Sequence, residues 1–198
     1  MKYCKKSWVV VVFAILMIPL STTALGCSDP LITDDIEDVS GSLAFLLPQS
    51  AWSFLDIKSA WLSEISTEPD YLYASIEFVD LTLRQWHTIY SFCWEYNGKI
   101  CVANVHLGLQ GDASDFYASY GEHTEKVPDG ILDLENDIVT IVVPKTLVGD
   151  PKPGDVLTKP YVLSGMRPFQ KDHYVLMFLL GEIGKDYAGI GNDYSVQY

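Results

Sequence analysis

The chain carries 26 acidic residues, four cysteines and four histidines, the usual raw material of catalysis and metal binding. The histidines are His87, His106, His123 and His173. None pairs with another at metal-ligand spacing, and neither HExxH nor CxxC occurs. A GxSxG nucleophile elbow is missing, as is a glycine-rich loop leading into a helix. His106 follows Cys101 by five residues, which raises a cysteine–histidine dyad. A hydrogen-bonded strand residue is a poor place for a nucleophile, so the dyad is weak. Paired carboxylates are the tools of glycoside hydrolysis, but nothing in the spacing selects two of the many present. These absences argue against an enzyme.

Two constellations remain. Asp112 and Asp115 in QGDASD, and Asp133, Glu135 and Asp137 in DLEND, are oxygen-rich turns of a kind that can hold calcium. Neither matches a calcium-loop pattern, and aspartate is also an ordinary turn residue. A structural calcium at Asp112 and Asp115 is the most that composition suggests, with no other cofactor. The second constellation is aromatic: Trp52, Trp61, Trp86, Trp94, Tyr117 and Tyr120. Flat rings stack on sugars, although most pack in cores. Trp86 stands beside Arg84, Gln85 and His87 in an expected loop. The expected ligand-binding set is therefore Trp86, Arg84, His87 and Tyr117.

Strands must position these residues. Leu72, Ala74, Ile76 and Phe78 alternate with Tyr73, Ser75, Glu77 and Val79, the period of a half-buried strand. The continuous β-branched run at 138–143 predicts a central strand covered on both sides, and the run at 174–180 predicts another. Between such runs come Pro69-Asp70, Asn97-Gly98, Pro128-Asp129-Gly130 and other turn signals. Residues 144–149 suit one helical turn ending at Gly149. The pattern predicts an all-β fold, an antiparallel two-sheet β-sandwich of jelly-roll-like character, over residues 51–198.

The hairpin around Tyr96-Asn97-Gly98 allows two registers. A two-residue loop sets Trp94 against Cys101 and Glu95 against Ile100, mixing polar with apolar. A three-residue loop closed by Gly98 sets Trp94 against Ile100 and Cys93 against Cys101, and every pair matches in character. The pleat favours the second register, and with it a Cys93–Cys101 disulfide.

The N-terminus reads as a leader. Lysines at 2, 5 and 6 precede an uncharged, mostly apolar run at 7–20 and a small-residue stretch at 21–26. Ala24-Leu25-Gly26-Cys27 resembles the lipobox of bacterial-type lipoproteins, which implies lipid attachment at Cys27. Simple cleavage and an uncleaved helix remain as alternatives for residues 1–27. Residues 28–50 are acidic, with Asp34, Asp35, Glu37 and Asp38, and read as a linker that lifts the domain off the membrane. Net charge is −13 overall; residues 28–198 hold 10 basic and 26 acidic side chains, net −16. Such a body repels nucleic acid.

Several stretches resemble a secreted β-sandwich module of archaeal and bacterial surface proteins that also occurs beside subtilisin-like proteases. They are LDIKSAW at 55–61 with DYLY at 70–73, the aromatic hairpin, IVTIVVPKTLVGDPKPGD at 138–155, and the close at 186–194. The resemblance spans about residues 52–196 and rests on structural turns. The layout is also similar to sugar- and haem-binding sandwiches of the DOMON type, without an evident haem ligand pair. The resemblance implies fold and an extracellular location more than activity. The expectation is a cell-surface, membrane-anchored, non-catalytic module that binds carbohydrate. The alternative is a structural or protein-interaction module, accessory to a surface protease or envelope assembly.

Overall fold

Alternation at residues 71–78 becomes a strand with its apolar face sealed, Leu72, Ala74 and Ile76 fully buried and Phe78 nearly so, but the strand is not half-buried as expected, since Tyr73 and Ser75 on the other face are buried as well. In the computed structural model, which describes residues 29–41, 48–82, 87–107, 115–167 and 184–198, this strand is the third of twelve. They are β1 (Ile32–Thr33), β2 (Ile57–Ser63), β3 (Tyr71–Phe78), β4 (His87–Tyr96), β5 (Lys99–Leu107), β6 (Asp115–Tyr120), β7 (His123–Val127), β8 (Gly130–Asp133), β9 (Ile138–Pro144), β10 (Val156–Arg167), β11 (Gly184–Ala188) and β12 (Tyr194–Ser195). Among the described residues there is no α-helix.

The strands form two antiparallel sheets, and the fold is an all-β sandwich. One sheet runs β1-β2-β3-β9-β8, the other β11-β10-β4-β5-β6-β7, with β12 beside the first half of β10. Inward residues of both sheets meet in one core: Leu62, Ile76, Val139, Ile141 and Val143 face Tyr90, Phe92, Trp94, Ala103 and Val105. The rings of Phe78 and Tyr90 touch across the layers, centroids 4.4 Å apart. Burial of each large side chain contributes about 1.5–3 kcal/mol. Strand β9 is interior to its sheet but is not covered on both sides. Val139, Ile141 and Val143 are sealed inward, while Ile138 and Val142 are half-buried on the outer face.

The hairpin departs from the favoured register. Asn97 and Gly98 both have positive φ, 51° and 72°, as a two-residue type I′ turn requires. Trp94 therefore opposes Cys101, Glu95 opposes Ile100, and Cys93 opposes Val102. Turn chemistry prevails because the inner pairs match by size: Trp94 with Cys101, Phe92 with Ala103, Tyr90 with Val105. Cys93 and Cys101 now point to opposite faces of the sheet. Both are buried free thiols, and the expected disulfide does not form. The same parity separates Cys101, turned inward, from His106, turned outward, so the dyad does not assemble.

The acidic segment is not a free spacer over its described part. Ile32 and Thr33 pair with Ala60 and Ser59, and Ser40 bridges to Lys185 on β11. Ile32 and Val39 enter the core. The helical turn at Lys145–Val148 forms as expected, closed by Gly149 in the left-handed region at φ 89°. At the other end of the chain, buried Lys145 pairs with buried Glu64 and also donates to the Tyr198 backbone oxygen. Glu64 accepts hydrogen bonds from the Tyr194 hydroxyl at 3.1 Å and the Gln197 N–H at 2.6 Å. One buried ion pair thus holds the C-terminal segment to β2 and β9.

Candidate functional site

Antiparallel register puts three rows of side chains on the outer face of the larger sheet. The first reads Tyr187, Leu163, Ser91, Asn104, Tyr117 and Lys126 across β11, β10, β4, β5, β6 and β7. Beside it run Lys185, Gly165, Ile89, His106 and Asp115. On the other side lie Tyr161, Cys93, Val102, Ser119 and Thr124. Five strands from β11 to β6 span roughly 19 Å at the usual inter-strand spacing.

Gly165 interrupts this surface. A Cβ built there meets nothing within 4 Å. The missing side chain leaves a depression of about 280 Å³, lined by Ile89, Ser91, Leu163, Gly165 and Lys185 among others. Rings flank it on both sides. Tyr161 and Tyr187 stand 6.0 Å apart at one end, and Tyr187 is 51 % exposed. His106 and Tyr117 stand 5.0 Å apart at the other. Burial, with Cys93 as neighbour, pushes the Tyr161 phenol up to about 12, so it remains a hydrogen-bond donor. Asn104, in the centre of the row, has a side-chain Oδ1 without a partner. The arrangement offers apolar ring faces interleaved with hydroxyl, amide, imidazole and ammonium groups.

Of the expected site residues, Tyr117 lies in this surface. His87 opens β4 opposite Arg167, half-buried, its Nε2 enclosed and without a partner. Arg84, Trp86, Asp112, Cys27 and the run at 174–180 lie outside the described residues. Asp115, the described member of the expected calcium pair, is paired with Lys126, which holds its carboxyl below the usual range. Trp52 and Trp94 are core residues. Tyr120 is engaged in packing: Lys99 Nζ sits 4.5 Å from its ring centre, and its edge abuts Gly149. Asp133 closes its own turn, accepting from the Glu135 and Asn136 N–H groups at 3.1 Å.

Sequence reasoning missed Tyr161, Gly165 and Tyr187. Residue type gave no signal for Tyr187, because β11 turns Lys185 and Tyr187 outward while burying the charged Asp186 between them. No protein-family model matches the chain, and no curated protein matches it.

Proposed function

We propose that the protein is a non-catalytic binding module of the cell surface, tethered through its N-terminus, that holds a neutral oligosaccharide along the outer face of the larger sheet. The observation that carries this reading is the open trough over Gly165 with an aromatic pair on either side, each pair having one exposed ring, Tyr187 or His106, and one half-buried ring, Tyr161 or Tyr117. Ring faces stack on the apolar faces of sugars, and the interleaved Ser91, Asn104 and Lys185 suit hydroxyl groups. The net charge of −16 over residues 28–198 disfavours polyanionic glycans.

A glycan array followed by calorimetry tests the reading. Neutral glycans bind the wild type, and Tyr187→Ala weakens binding by about tenfold or more. Gly165→Leu, which fills the trough in unstrained backbone, abolishes binding while the melting temperature stays within a few degrees. Binding unaffected by either change refutes the site. The interaction-module reading draws on the same face, where Leu163 and Ile100 are 40 % and 50 % exposed. It predicts a silent array and a protein cross-linked to this sheet.

A further inference from the structure

The acidic segment folds back so that Asp34, Asp38 and Asp186 converge, each offering an oxygen within 4.8 Å of the others. Asp186 is on β11 and buried. Its Oδ2 accepts the Ile57 N–H at 2.8 Å and its Oδ1 the Tyr187 N–H at 2.7 Å, so backbone amides on two strands fix its carboxylate. Asp34 follows β1, and its Oδ2 is enclosed without a hydrogen-bond partner. Asp38 is exposed, held between Glu37 and the buried Val39.

A separate observation concerns Asp56, which is only 1 % exposed. Its Oδ2 accepts the Glu37 N–H at 2.7 Å, inside the Asp34–Asp38 loop, and Glu37 takes a positive φ of 68° there. Its Oδ1 is sealed from solvent and has no partner. An anionic oxygen buried without a donor costs several kcal/mol unless a cation or proton meets it. Charge repulsion links these groups: Asp38 raises Asp56 and Asp186, and Asp56 raises Asp34.

We propose that Asp34, Asp38 and Asp186, backed by the buried Asp56 carboxylate, form a binding site for a hard divalent cation of the calcium class. Oxygens that bind calcium at 2.3–2.6 Å lie at most about 5 Å from one another, which this trio satisfies. The all-carboxylate donor set has no imidazole or thiolate to favour zinc or copper. Magnesium needs a tighter octahedron, with ligands at about 2.1 Å. The ion would join the N-terminal segment to β11, whose Asp186 already accepts the Ile57 N–H at the start of β2. This site differs from the Asp112–Asp115 turn suggested by composition, and it stands whether or not a glycan binds.

The test uses the full-length chain in detergent, stripped with EDTA and titrated with calcium chloride by calorimetry and thermal melting. One calcium binds per chain, and saturation at about 100-fold over Kd raises the melting temperature by about 5–10 °C. Magnesium binds more weakly. Asp38→Asn, an exposed change that spares the fold, lowers calcium affinity at least tenfold, whereas Asp115→Asn leaves it unchanged. Asp34→Asn serves as a second variant of the same prediction. Absence of any calcium-dependent heat or melting shift in the wild type overturns the site. So does calcium binding that survives both Asp38→Asn and Asp34→Asn.

Discussion

Cys93 and Cys101 sit on adjacent strands with their side chains on opposite faces, and burial raises both thiols, to about 11 and about 12. Neither is a reactive thiolate near neutral pH. Alkylation of the unfolded protein without reductant is expected to label the Cys93 and Cys101 peptides fully; a linked peptide pair contradicts the register. The carboxylates give a second residue-scale prediction. Burial, opposed by the Ile57 N–H and reinforced by Asp38, pushes Asp186 up to about 7, and burial with Asp38 pushes Asp34 up to about 6. Asp56 shifts the same way, and Lys185 is the neighbouring cation on β11. A folded-state value above the unfolded one means that the folded protein binds more protons. In EDTA this contribution to stability is complete below about pH 4 and is lost as pH rises through about 7. Carboxylates held low by partners, such as Glu77 beside Lys58 and Ser59, act oppositely and lose their contribution as pH falls below about 4. Thermal melts from pH 4 to 8 should decline across the window, and Asp186→Asn should flatten the decline. A profile unchanged by Asp186→Asn contradicts the assignment.

Elements whose two faces differ were legible from sequence. The alternation of β3 and the turn closed by Gly149 are examples, because a single local rule decides each. Gly149 combines φ 89° with a Tyr120 ring carbon 2.8 Å from an added Cβ, so Gly149→Ala should cost about 1–3 kcal/mol in chemical denaturation. The β4–β5 register was not legible from polarity matching. Its outer face is half-apolar, with Cys93 buried beside Tyr161, so polarity no longer separates the faces. The Asn-Gly pair, with two successive left-handed residues, carried the decisive information. The acidic cluster and the Glu64–Lys145 pair were invisible because only the sheet topology brings their members together. Removing one partner of that buried pair strands a charge, so Glu64→Ala should destabilise by about 3–5 kcal/mol. A loss below about 1 kcal/mol contradicts its role in holding the C-terminal segment.

At the scale of the molecule, the proposed cation site and the trough meet on β11 of the larger sheet: Asp186 gathers with Asp34 and Asp38 of the N-terminal segment and also lines the trough. Among the described residues no helix is long and apolar enough to cross a membrane, so the proposed tether rests on residues 1–27. Lipid attachment predicts that Cys27→Ser moves the protein out of the membrane fraction; retention favours an uncleaved helix. Three of the four residues first expected to bind ligand were drawn from one loop and its border, whereas the trough is assembled from β4, β10 and β11. The most direct test is amide chemical-shift mapping during titration with a neutral oligosaccharide taken from the array. Shifts should concentrate at Ser91, Asn104, Tyr117, Leu163, Gly165 and Tyr187 and spare β3 and β9. Shifts confined to the smaller sheet, or none at saturating sugar, contradict a glycan-binding face.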